Sequence, residues 1–111
     1  MADLASEELV VLNAGSVGLS SDEVNELKPQ LPEWTVVNDG MAKLERTYRF
    51  DTFASAMAFA NKVGNAADEV DHHPELTTTW GRTTVRWWTH SLGGLSRNDF
   101  IMAAKTDAIS G

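Results

Sequence analysis

The sequence predicts an α+β domain in which a four-stranded antiparallel sheet carries three helices on one face, in the order α-β-β-α-β-β-α. Three observations lead there. Two stretches of extended character are each interrupted by a tight-turn signal, Asn38-Asp39-Gly40 and Gly81-Arg82, as antiparallel hairpins require. Two serine-led motifs with capping-box spacing, Ser20/Glu23 and Ser96/Asp99, mark helix starts near the two ends. Between the hairpins, Phe53, Ala56, Met57, Ala60, Val63 and Ala67 recur at helical spacing and define one apolar stripe.

Taken in order, residues 1–19 mix small, acidic and apolar types without a sustained period. They read as a poorly ordered lead-in or an arm docked on a single domain of residues 20–111. Val24, Leu27 and Leu31 follow the first capping box and predict a short helix broken by Pro29 and closed by Pro32. Residues 34–37 read as a strand. After the Gly40 turn, Ala42, Leu44, Tyr48 and Phe50 alternate with Lys43, Glu45, Thr47 and Arg49, a hairpin with one wet face. Asp51 is positioned to cap the central helix. Residues 76–80 and 83–90 form the second hairpin, and Gly93-Gly94 ends it. Phe100, Ile101, Ala104 and Ala108 supply the apolar side of the last helix. Trp87 and Trp88 are adjacent in a strand and so point to opposite sides of the sheet, leaving one for a ligand site or a subunit contact.

Composition removes several function classes. A chain of 111 residues holds one domain, so an active site must lie within one fold or between copies of it. The net charge of -7, with nine Lys and Arg that form no run, argues against nucleic acid and anionic membrane as partners. Cysteine is absent, which removes disulfides, thiolate nucleophiles and Cys-ligated metals. Asp3, Glu7 and Glu8 stand where a secretory signal carries Lys or Arg, and the apolar run at residues 9–12 is too short to span a bilayer. A cytoplasmic location is expected.

The chemistry-bearing residues cluster. All three histidines fall within residues 72–90, two of them in Asp68-Glu69-Val70-Asp71-His72-His73-Pro74-Glu75. A hairpin returns its second strand beside its first, which brings His90 near the loop of His72 and His73. Imidazoles titrate near neutrality and suit a reaction that gives one proton and takes another, with Asp68 and Asp71 placed to orient the rings. On the residues alone, the alternative of ordinary loop and strand-end histidines stays open. A three-histidine metal site fits poorly, since adjacent His72 and His73 diverge in an extended chain. No Gly-x-Ser-x-Gly elbow supports a serine hydrolase.

The succession Asp68, His72-His73-Pro74, Trp80, His90 and Asp99 resembles the signature of the pterin-4a-carbinolamine dehydratase family. The resemblance runs over residues 34–109, and Trp87-Trp88-Thr89-His90 with Gly94-Leu95-Ser96-Arg97-Asn98-Asp99-Phe100 is similar to bacterial members that serve phenylalanine hydroxylase. It implies a hydro-lyase acting on a 4a-hydroxytetrahydropterin, with no cofactor consumed and no metal. It also implies that His72, His73 and His90 line the pterin site with Asp71 and Asp68 beside them, that Trp34 lies near the substrate ring, and that the protein is a homodimer or homotetramer. A relative in this family also serves in animals as a dimerisation cofactor for a homeodomain transcription factor, and nothing in this acidic chain specifies such a surface. Asp99, within a capping box, is expected to cap its helix rather than catalyse; Pro74 is expected to shape the loop and Trp80 to pack. Animal members often carry Arg directly before the residue matching Asp99. Here Asn98 stands there and Arg97 one step earlier, turned by about 100° on a helix, so Arg97 does not inherit that residue's pterin contact. The acidic position holds Asp68 where Glu is common, one methylene shorter.

Overall fold

The computed structural model describes residues 3–111. Its main elements run α1 (Ser21–Leu27), β1 (Thr35–Asn38), β2 (Ala42–Arg49), α2 (Phe53–Val70), β3 (Glu75–Thr79), β4 (Arg82–Trp87) and α3 (Arg97–Ser110). The strands form one antiparallel sheet in the order β1-β2-β4-β3. The two hairpins therefore meet through β2 and β4, and β1 and β3 are edges. Gly81 makes the second turn at φ 78°, a conformation that costs a side-chain-bearing residue roughly 1–2 kcal/mol.

Alternation along the central strands sets the two faces. Leu44, Tyr48, Thr83, Val85 and Trp87 are buried on the helix side, where Thr83 Oγ1 donates to Ala56 O and Trp87 Nε1 donates to Thr106 Oγ1. The opposite face is polar: Thr47 pairs with Thr84, and Arg86 lies against Glu45 at 2.7 Å with Asp39 and Glu75 within 4 Å. Both expected capping boxes are present, Ser20 with Glu23 and Ser96 with Asp99.

Several expectations are corrected. Thr52, not Asp51, caps α2, its Oγ1 accepting from Ser55 N at 3.0 Å. The buried stripe of α2 is Ala56, Phe59, Ala60, Val63 and Ala67, whereas Phe53 and Met57 remain 48% and 38% exposed. The apolar arc of this helix is wider than the surface it packs on, so residues on its flank stay wet while Phe59 stacks between Tyr48 and Phe50. Strands β1, β3 and β4 sit about one residue from their expected bounds, and β4 ends at Trp87 rather than at His90. His90 instead opens a short 3-10 turn, His90–Leu92, because the chain folds back to bridge Thr89 with Gly94. Trp80 does not pack; it is 74% exposed at the β3–β4 turn. Trp88 is half-buried, with Lys43 Nζ 4.3 Å from its ring centre.

Residues 3–19 lie along the domain. Leu4 is buried in the short 3-10 turn Leu4–Ser6, and the segment beyond it is tied to α3.

Candidate active site

The end of α2 delivers the first histidines. Asp71 caps the helix in the left-handed region at φ 52°, the one described non-glycine residue there. Its N–H and that of His72 both fold back onto Ala67 O. That reversal turns His72 inward and leaves His73 outward. The His72 ring lies flat against Trp87, with centroids 5.6 Å apart and planes at 21°. Its Nε2 is 2.7 Å from Asp99 Oδ1.

Asp99 is fully buried, and its second oxygen is already committed. Oδ2 accepts from Ser96 N and from Thr89 Oγ1, each at 2.8 Å, while Thr89 and Ser96 share a hydroxyl contact of 2.7 Å. A carboxylate has acceptor capacity on both oxygens, so Asp99 caps α3 with one and holds His72 with the other. With Oδ1 accepting, Nε2 of His72 carries a proton, and Nδ1 is the ring nitrogen left over. The expectation that Asp99 is a helix cap thus describes half of its role. Its contact with His72, 27 residues away, was not anticipated.

His73, about half exposed, contacts Asp68 Oδ1 at 2.8 Å through Nε2 and Asp71 Oδ1 at 3.9 Å through Nδ1. Asp68 lies on α2 and Asp71 at its cap, so both carboxylates lie beside one imidazole, with Asp68 in hydrogen-bond range. His90 is exposed. Asp71, His72, His73, Trp88 and His90 line one open cleft of ≈490 Å³, together with Leu12 of the N-terminal segment. Among the described residues, no group of three or more His, Asp or Glu converges to hold a metal ion. His72 pairs with Asp99 and His73 with Asp68.

Trp34 is not brought to this cleft. It is buried in the core, and its Nε1 donates to Asp107 Oδ1 at 2.9 Å. The same oxygen accepts from Arg46 at 2.7 Å and from the Tyr48 hydroxyl. Burial, reinforced by Asp107, holds the Tyr48 phenol well above its ordinary titration range. Another cleft, of ≈470 Å³ between α1, β1 and residues 92–95, is lined by no titratable side chain.

Residues 17–109 match the family profile described as pterin 4 alpha carbinolamine dehydratase. The chain belongs to this family. A relative from Chlorobium limicola is 54% identical over 92 residues, covering 82% of this chain and 81% of its own. One from Microcystis aeruginosa is 44% identical over 110 residues, covering 98% and 95%. Both carry the name "Putative pterin-4-alpha-carbinolamine dehydratase". Among solved structures, a "transcriptional coactivator/pterin dehydratase" from Brucella melitensis superposes with a TM-score of 0.78 at 35% identity, covering 85% of this chain and 99% of that one. A pterin dehydratase-like protein described as a RuBisCO assembly factor shares the fold, with a TM-score of 0.61 at 19% identity. The pterin dehydratase fold thus frames the cleft. No helix among the described residues is long and apolar enough to cross a membrane.

Proposed function

We propose that this chain is a cytoplasmic hydro-lyase that dehydrates 4a-hydroxytetrahydropterin to the quinonoid dihydropterin, in recycling of the cofactor used by an aromatic amino acid hydroxylase such as phenylalanine hydroxylase. The observation that carries the reading is the convergence of His72, His73 and His90 on one cleft in a member of this family. The reaction breaks the C4a–OH bond, with a proton supplied to the departing hydroxyl, and removes the proton of the adjacent ring nitrogen as the C=N bond forms. Two positioned imidazoles supply both transfers without a cofactor.

His72 suits the base. Its Nε2–H is engaged by a buried carboxylate, which stabilises the imidazolium formed when Nδ1 takes a proton. His90, exposed in the same cleft, suits the acid. His73, steadied by Asp68 and Asp71, is assigned to binding and polarising the pterin. Trp34, engaged in the core, is left out of the substrate contacts. Self-association as a dimer or tetramer is supported by apolar surface at Phe53, Met57 and Trp80.

The test is dehydration of a synthetic 4a-hydroxytetrahydropterin by purified protein and two variants. His90→Ala removes an exposed ring. His72→Gln keeps an N–H donor for Asp99 but no titrating group. Each is expected to lower turnover at least tens-fold, within the factor of about 10²–10⁴ typical of a positioned acid or base, with little change in Tm for His90→Ala. Near-parental turnover in both variants, or losses matching the unfolded fraction, would overturn the assignment.

A further inference from the structure

The position before Asp99 has a second use in this chain. Asn98 is only 4% exposed, and its carboxamide faces the N-terminal segment rather than the cleft. Oδ1 accepts from Val10 N at 2.6 Å, and Nδ2 donates to Val10 O at 2.9 Å. Both ends of the amide thus engage one residue's backbone, as a neighbouring strand would. Arg97 forks onto Glu7 at 2.8 and 2.9 Å, a bidentate pairing that fixes orientation as well as distance. That hydrogen bond holds the Glu7 carboxyl below its ordinary range. Lys105 Nζ donates to Ala5 O at 2.7 Å. At the far end, Asn13 closes a turn with Gly15 and Ser16. Helix α3 therefore grips the segment at several points over residues 5–10, and the next few residues are delivered to the histidines.

What arrives there is apolar. Leu12 is half-buried, beside Val10 and Val11 at 50% and 86% exposure. Leu12 lines the histidine cleft, and Leu9, Val10, Val11 and Leu12 also flank Asp71 and His72 from the side of Asn98. Trp88 is the other large apolar group that lines the same cleft. A flat heterocycle entering this cleft has both hydrocarbon and an indole available to pack on.

We infer that the N-terminal arm is a wall of the substrate site, and that Leu12, delivered by the Asn98 clasp, is a specificity-determining residue that packs on the bound heterocycle. The inference rests on the dehydratase reading of the cleft. Asn98 thereby acts at one remove, as a positioning residue for Leu12. Adjacent residues of α3 thus hold both parts: Asp99 the imidazole of His72, and Asn98 the segment that carries Leu12.

A leucine side chain packed on a ligand contributes of order 1 kcal/mol, and tenfold in affinity is about 1.4 kcal/mol. Leu12→Ala is therefore expected to lower kcat/KM about three- to tenfold, the loss carried by KM. The dissociation constant for a tetrahydropterin lacking the 4a-hydroxyl should rise by the same factor. Asn98→Ala, which keeps Leu12 but opens the clasp, should reproduce the rise in KM and speed amide exchange at Val10. In the parent protein, saturating tetrahydropterin should slow exchange at residues 10–12. Unchanged KM and dissociation constant in Leu12→Ala, with the parent active, would overturn the arm's role while leaving the dehydratase reading intact. An inactive parent that binds no tetrahydropterin would overturn that reading and the inference with it.

Discussion

Replacing Asp99 by Asn changes one atom in the buried network and reverses one hydrogen bond. The carboxylate accepts at both oxygens: from His72 Nε2 at Oδ1, and from Ser96 N and Thr89 Oγ1 at Oδ2. An amide keeps one acceptor, and the two donors that cap α3 take it. Its NH₂ then faces His72 and requires Nε2 to accept, which moves the ring proton to Nδ1 and blocks the nitrogen assigned as base. Hydrogen bonds to a charged group contribute about 1.5–3 kcal/mol and neutral ones about 0.5–1.5. With the retained bonds weakened from the first class to the second, the expected loss is about 2 kcal/mol. For a domain of this size that lowers Tm by on the order of 10 °C. The cap persists, so the fold survives, yet turnover on 4a-hydroxytetrahydropterin should fall by about 10²–10⁴. Stopped-flow dehydration well below the new Tm measures the rate, and nitrogen-15 NMR of His72 reads the tautomer. Turnover within about threefold of the parent, with Nε2 still protonated, would refute the account of Asp99 as the group that orients His72.

Two further outcomes are expected. Tyr48 is the only tyrosine, and burial together with Asp107 raises its phenol above the ordinary 10.0. A group raised in the folded state contributes stability that is complete below its unfolded value and lost as pH climbs through the folded one. Tyrosinate absorbance should therefore be absent from the native protein just above pH 10 and present in denaturant, and equal titration of both states would count against the buried network. The exposed Phe53, Met57 and Trp80 are expected to be covered in a dimer or tetramer, which sedimentation at micromolar concentration tests; a monomer there would remove the self-association reading.

Much of the fold was legible because its signals are local. Ser20 with Glu23, Ser96 with Asp99, and the turns at Gly40 and Gly81 each act within a few residues, the range over which backbone chemistry is self-contained. His72, His73 and His90 border one cleft, but His90 reaches it through the 3-10 turn after β4 rather than on the returning strand itself. The contacts that complete the site were not legible, because their partners are far along the chain. The capping role of Asp99 already accounted for its presence, and the signal for a second role was the spare acceptor oxygen of any capping carboxylate. Trp34 gave no hint that its indole would find Asp107, 73 residues on. The N-terminal segment shows no period because side chains of α3, rather than a repeating backbone ladder, hold it. Phe53 and Met57 share the helical spacing of Ala56 and Ala60, while Phe59 falls on the other flank, and pattern alone does not say which flank of a helix overhangs the sheet.

The clasp between Val10 and Asn98 joins residues 88 apart, and that between Glu7 and Arg97 joins residues 90 apart. Closing so long a loop carries a large entropic cost before any contact rewards it. The clasps of this segment form only once α3, the last of these elements along the chain, has docked. The histidines precede α3 in the chain, whereas Asp99, which holds His72, and the clasp come with α3. The long-range clasp is therefore expected to form late in folding and to open first when the native protein loosens.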